Sequence, residues 1–305
     1  MTKNLFLLGL MACSMTMMGQ TEKKESKTGN WYFKLGSSYF TQATATEFPT
    51  VSGQQPNRDV YVGGKLVSRE SITGSFGEGF RYGGNVGYRF TNRLGVEMGI
   101  NYYNSNSKNM VETVDRVISV AGGAPTYLNL TSNGRVKALD LAPAVVLFLG
   151  EVKGFESYSK VGVIVPVNGK LVIETTQNYN GPAVGGKRTI VQEDEVKPNP
   201  TVGFLAALGT SYKLGKNLSA FAEVEYRNFT VHGKSKETTR YAVNGADALS
   251  TRTTAEINSN YVKTLNSSSN NAEFNTVDPA RPTDEQSSYI SISGVGLTLG
   301  LKYNL

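Results

Sequence analysis

The residues best suited to acid–base chemistry are few. The chain of 305 residues holds one histidine, His232, in the run Thr230-Val231-His232-Gly233-Lys234, with Ser235 and Glu237 just beyond it. An imidazole near a hydroxyl and a carboxylate has the parts of a nucleophile, its base and an orienting group. Residues so close along one segment seldom reach the geometry that such a set needs, so the sequence predicts no catalytic residues and no enzyme. The only cysteine, Cys13, lies in the apolar N-terminal segment. Once that segment is removed no thiol remains, which takes disulfides, thiolate catalysis and cysteine metal sites away together. With one histidine there is no zinc cluster either, so no metal and no cofactor are expected. The glycine series near the C-terminus is no nucleotide fingerprint, because it lies along a strand with no helix after it.

The remaining chemistry is electrostatic. Lys34, Arg81, Arg89, Glu97, Asp140, Lys160, Glu223, Glu225, Arg227 and Lys302 all fall on the polar face of alternating segments. In Trp31 to Tyr39 the odd positions hold Trp31, Phe33, Leu35 and Tyr39, with Lys34, Gly36 and Ser38 opposite. Phe80 to Phe90 sets Phe80, Tyr82, Val86, Tyr88 and Phe90 against Arg81, Asn85 and Arg89, and Leu94 to Tyr102 continues the pattern. Leu139 to Leu149, Val161 to Val167, Val202 to Tyr212, Leu218 to Tyr226 and Val295 to Leu305 repeat it, giving eight period-two strands. Tyr158 breaks the parity of the fifth, which predicts a bulge or a later start there.

The connections alternate in length. Strands two and three, and six and seven, are joined by about three residues, and four and five by roughly eight. The other four connections run from about 25 to more than 50 residues, as transmembrane barrels require of short periplasmic turns and long outer loops. Apolar-face aromatics mark the two membrane boundaries: Trp31 and Tyr39, Tyr82 and Phe90, and Phe204 and Tyr212 are each eight residues apart, with Tyr102, Tyr226 and Tyr303 at further strand ends. Eight tilted residues rise about 20 Å, close to an apolar band of about 25 Å. The sequence thus predicts an all-β, eight-stranded antiparallel up-and-down transmembrane β-barrel with three short periplasmic turns and four long extracellular loops.

Residues 1–19 read as a secretory signal peptide, with a charged start, a short apolar core and small residues at the exit near Gly19. The alternative is lipidation at Cys13. Residues 20–29 read as a periplasmic lead and 30–305 as the barrel domain. The formal charge of +6 is spread with mixed signs and no basic block, so no nucleic-acid partner is expected. On an eight-strand count the interior is narrow. It is expected to be filled either by ion pairs in which Glu223, Glu225 and Glu97 meet Arg81, Arg227 and Lys34, or by the same side chains as hydrated polar positions, with glycines such as Gly87, Gly296 and Gly300 making room for the long charged side chains. Val60 to Val67, Val111 to Leu130, and Lys170 to Thr176 with Lys187 to Val196 resemble hairpin arms above the membrane. The fourth loop, rich in Asn, Ser and Thr, is expected to be the most mobile, with room for a hidden hairpin that would raise the count to ten.

These segments, turns and loops, with the Gly-x-Gly-x-x-x-Gly strand at the C-terminus, resemble the small outer-membrane barrel family of OmpA-type transmembrane domains and OmpX-like proteins over about Trp31 to Leu305. The resemblance implies a bacterial outer-membrane location and a terminal strand read by the barrel-insertion machinery, with Gly294, Gly300, Tyr303 and Leu305 as its marks. The family usually ends in an aromatic residue, where this chain has Leu305. It also implies contact with outer-membrane lipid and lipopolysaccharide. The favoured reading is a non-enzymatic, envelope-structural surface protein whose loops serve adhesion or contact with an extracellular ligand or host surface. A small porin-like channel and a lipid A-modifying enzyme are the alternatives.

Overall fold

The computed structural model describes residues 30–199 and 201–305, so the expected signal peptide, the lead and Cys13 lie outside the described residues. The chain runs through β1 (Asn30–Gln42), the short β2 (Thr46–Glu47), a hairpin of β3 (Asn57–Val62) and β4 (Lys65–Ser71), and β5 (Thr73–Gly74). Next come β6 (Gly79–Arg89), β7 (Leu94–Ser105), β8 (Lys108–Ala121), and two long strands, β9 (Ala124–Val152) and β10 (Phe155–Gly181). These lead to β11 (Gly186–Pro198), β12 (Gly203–Lys213), β13 (Leu218–Asn228), β14 (Thr230–Val243) and β15 (Ala246–Asp247). A helical turn, Thr254–Ile257, precedes β16 (Asn258–Val262), β17 (Thr283–Gln286), β18 (Tyr289–Ser291) and β19 (Gly294–Asn304).

Antiparallel ladders join β1 to β6, β6 to β7, β7 to β9, β9 to β10, β10 to β12, β12 to β13 and β13 to β19, and β19 returns to β1 through pairs such as Lys34↔Lys302. Antiparallel ladders of alternating residues give two unlike faces. On β7 the burial alternates without interruption: Val96, Met98 and Ile100 are exposed, while Gly95, Glu97, Gly99 and Asn101 are buried. The protein is an all-β barrel of this inverted kind, apolar outside and polar inside.

The turn between β9 and β10 is two residues, Lys153 and Gly154, both with positive φ, rather than the eight expected from the apolar pattern. The pairing continues through a register shift at Ser157/Tyr158, where Leu149 is skipped and Gly150 takes φ 114°. The bulge absorbs the local irregularity, and Tyr158 points inward, buried with the lumen side chains.

Beyond the barrel, β9 and β10 continue as one hairpin, pairing as far as Asn180↔Tyr127. β8 joins β9, β3 joins β8 in parallel, β11 joins β10, β14 joins β11, and β16 and β17 complete the sheet beyond β14. The fourth connection carries short strands and turns of its own. Within it the buried Asn270 side chain accepts from Asp278 N–H and donates to the carbonyls of Asp278, Arg281 and Pro282. Here one amide engages four backbone groups, its oxygen accepting from one N–H and its two N–H donors shared among three carbonyls. None of its strands enters the ring of barrel ladders.

Candidate functional site: a charge-filled lumen under a closed mouth

Alternation sends one residue in two into the lumen, and strand pairing then sets which of them share a level. Lys34 Nζ lies 2.5 Å from Glu97, and Lys160 Nζ lies 2.6 Å from Glu223, 3.5 Å from Glu225 and 3.7 Å from Glu97. Arg227 binds Asp140 at 2.9 Å and also bonds Glu225, while Arg81 sits 3.7 Å from Glu225. Asn101 donates to Asp140 at 2.9 Å, and the Tyr32 and Tyr158 hydroxyls donate to Glu97 and Glu223, each at 3.0 Å. Four cations, Lys34, Arg81, Lys160 and Arg227, thus meet four carboxylates, Glu97, Asp140, Glu223 and Glu225. Charges withdrawn from water need such balance, since each unpaired one carries a desolvation cost of several kcal/mol.

Arg89 stands apart from this group. It lies at the turn end of β6, where it pairs with Glu156 at 2.6 Å, and Lys302 reaches the same carboxylate at 3.1 Å. Parity assigns Arg89 to the interior but says nothing of height along the barrel.

The glycines do not chiefly make room for charged neighbours. A Cβ on Gly87 would lie 2.2 Å from the Tyr32 ring, one on Gly209 2.3 Å from Tyr158, and one on Gly296 2.4 Å from Phe40. The lumen is therefore packed by aromatic rings seated on glycine flats, with the ions between them. Lys34 Nζ rests 4.1 Å from the Tyr158 ring centre, and the Arg81 guanidinium lies 4.2 Å from Phe40 and 4.9 Å from Tyr103. These inward aromatics, with Phe148 and Phe221, are what a reading centred on charge misses. Their even positions beside Lys34 and Lys160, or their odd position beside Glu223, mark them. The space left between Arg81, Asn101, Lys160 and Glu225 is about 30 Å³, enough for about two waters.

The end of the barrel away from the short turns is covered by apolar side chains from all four long connections. Phe48 and Phe76 from the first, Met110 and Val136 from the second, Leu171 and Ile173 from the third, and Phe229 and Ile290 from the fourth form one buried cluster. Ser75 bonds the carbonyls of Ser291 and Ser293, and Tyr103 donates to the Phe76 carbonyl at 2.5 Å, so the first and fourth connections are stitched across the opening.

The outward aromatics fall into two groups. Trp31 stacks with Tyr88 at 4.9 Å, Tyr88 meets Phe90 at 5.1 Å, and Phe155 meets Tyr212 at 4.6 Å near the short turns, where exposed Tyr303 also lies. Tyr39, Phe80 and Tyr82 cluster at the other end, with Tyr102 opposite Tyr82 and with half-buried Tyr226. In the last strand Gly294 pairs with Gln42 and Arg227, Gly300 lies against Gly36, and Leu305 donates its N–H to the Trp31 carbonyl at 3.0 Å.

His232 does not meet Ser235 or Glu237 in any hydrogen bond among the described residues. Its Nδ1 lies 2.9 Å from the Asn199 amide nitrogen, its ring meets Tyr289 edge-on at 5.7 Å, and Glu237 instead faces Lys197 at 3.7 Å. Among the described residues no group of three or more His, Cys, Asp or Glu could hold a metal ion. In the outer hairpin, the Arg69 guanidinium bonded to Asp59 holds that carboxyl below the usual carboxylate range.

Two solved structures match the chain at low identity and low TM-score. Ail, the attachment invasion locus protein of Yersinia pestis, solved with the heparin analogue sucrose octasulfate, shares 11% identity with a TM-score of 0.31, covering 91% of this chain and 99% of that one. CarO2 of Acinetobacter baumannii shares 12% identity with a TM-score of 0.31, covering 90% and 99%. No curated protein sequence matches the chain. The sequence model of the OmpA-like transmembrane domain matches residues 26–253, which takes in β1, β6, β7, β9, β10, β12 and β13. An inverted sheet with this family's sequence pattern leaves one assignment: the chain belongs to the OmpA-like transmembrane domain family and resides in the bacterial outer membrane.

Proposed function

We propose that this protein is a non-enzymatic outer-membrane barrel, closed by eight strands, that serves the envelope as a structural element and presents a folded extracellular sheet for adhesion or ligand contact. The observation that carries the reading is the contrast between a lumen crowded with buried ions and rings, where the gap beside Arg81 and Glu225 is about 30 Å³, and strands that extend far above it, β10 reaching Gly181. Eight strands leave a barrel just wide enough for its own side chains. A solute path would need the paired ions and the apolar mouth to part together, which disfavours a porin-like channel. His232, held by Asn199, makes no hydrogen bond to a serine or threonine hydroxyl among the described residues, which disfavours a lipid-modifying enzyme. On this reading residues 1–19 are removed on export, 20–29 form the lead and 30–305 the barrel. Lipopolysaccharide would surround the outer half, and the insertion machinery would engage the last strand.

The test is to replace residues 173–194, the upper β10–β11 arms, with a two-residue turn. The variant should keep the heat-dependent gel shift of a folded barrel while losing cell attachment. Attachment at the unmodified level in a folded variant would remove the proposal, as would stable openings of the purified protein in planar bilayers.

A further inference from the structure

The ladder on β10 is interrupted on one side. Its pairing with β12 ends at Ile164↔Gly203, and its pairing with β11 starts at Leu171↔Val196, so residues 165–170 pair with β9 alone. A register shift at Pro166/Asn168 falls in this stretch, and Pro166 has no N–H to offer a neighbour. Beside the gap lies a cavity of about 280 Å³, near the lower end of the roughly 300–1,000 Å³ usual for small-molecule sites.

The walls of the cavity differ from floor to rim. Its floor is buried and apolar: Leu171, Val196, Phe229, Val231 and Ile290. Its rim carries Lys170, Lys197, Lys234 and His232, and no Asp or Glu lines it. Lys170 pairs with Glu195 and Lys197 with Glu237, both outside the lining, whereas Lys234 makes no ion pair among the described residues and is exposed. Exposed Val167 also borders the cavity and ends the outward row Val161, Val163, Val165 and Val167. The opening therefore lies at the upper edge of the lipid-facing surface, where chain and headgroup meet.

We propose that this cavity binds one alkyl chain carrying an anionic head, the chain lying on the Leu171–Val231–Ile290 floor and the head meeting Lys234 and Lys197. An apolar pocket alone would accept any hydrocarbon. The cationic rim at the membrane boundary selects an amphiphile whose charge stays at the water edge. A free long-chain carboxylate and an acyl chain of an anionic lipid share this chemistry.

The experiment uses the full-length protein in nanodiscs of neutral phospholipid, with a diazirine-bearing long-chain fatty acid as probe. Saturable crosslinks should map to residues 166–171, 196–199 and 229–234. The double variant K197E/K234E, altered only at exposed positions, should weaken capture of the acid at least tenfold and leave capture of the matching alcohol unchanged. Val231→Trp, which fills the floor, should abolish both. Competition by unlabelled fatty acid alone identifies the free carboxylate as the occupant, and competition by an anionic phospholipid at low mole fraction identifies the lipid chain. Equal capture of acid and alcohol by the unaltered protein would overturn the proposal. So would crosslinks spread evenly over the lipid-facing strands, or capture by a folded Val231→Trp protein at the original level.

Discussion

The two halves of β9 obey opposite rules on one uninterrupted strand. Below Lys137 the outward residues are Leu139, Leu141, Val145 and Leu147, and the inward ones include Asp140, Ala142 and Ala144. Above it the outward residues are Asn129, Thr131, Asn133 and Arg135, and the inward ones include the buried Leu130 and Val136. No residue is gained or lost between the halves, so the same face points inward throughout, and it is the outward face whose chemistry changes from apolar to polar. β10 makes the same change with a bulge, passing from exposed Val163 and Val165 to buried Leu171 and Ile173. The backbone is common to both regions and the solvent differs. Hydrocarbon rewards an apolar exterior and leaves the interior to ions, whereas water drives the apolar face in.

Arg227→Ala gives the largest expected effect on this contrast. It leaves Asp140 and Glu225 short of a partner in the lumen, and urea unfolding from lipid vesicles should show a loss of about 3–5 kcal/mol. An unchanged unfolding midpoint would mean that the lumen ions are hydrated rather than packed. Next comes Val161→Arg, a charge placed on the exposed barrel face, which should cost about 2–4 kcal/mol in the same assay. Thr131→Arg, on the same side of the sheet above the membrane, should stay within about 0.5 kcal/mol. Similar costs for the two arginines would erase the proposed boundary near Lys137.

A smaller effect tests the upper core. Ile173→Val removes one buried methyl group and should cost about 0.5–1.5 kcal/mol. It should read out as faster amide exchange in β11 and β14 with no change in the barrel's gel shift. The smallest concerns acid. The folded Asp59 carboxyl is depressed by Arg69, so its contribution is present above the unfolded value of about 3.9 and is lost as pH falls through the lower folded value. The β3–β4 hairpin should then exchange faster in acid while the barrel does not, and Asp59→Asn should remove that pH dependence.

Much of this was legible because alternation is local. Any stretch such as Leu94 to Tyr102 declares its two faces within nine residues, and the interior position of Lys34, Glu97 or Arg227 follows from parity alone. The partners do not follow. Parity does not show that Glu156 meets Arg89 and Lys302 apart from the central charges, because height along a barrel depends on the stagger between strands distant in sequence. Residue type alone does not reveal that Tyr32 and Tyr158 face the lumen, although their parity places them inside. The turns of the polar fourth connection are not legible in composition, because one buried amide, Asn270, holds them by meeting backbone groups that composition does not display.

Sequence by itself determined the barrel strands, their two faces and which connections are short, since each depends on neighbours a few residues apart. Tertiary structure decided which ions pair, that glycines seat aromatic rings, and that four outer connections converge into an apolar cover over the lumen. Those features depend on the register between strands that close on one another from opposite ends of the chain, such as Gly36 against Gly300.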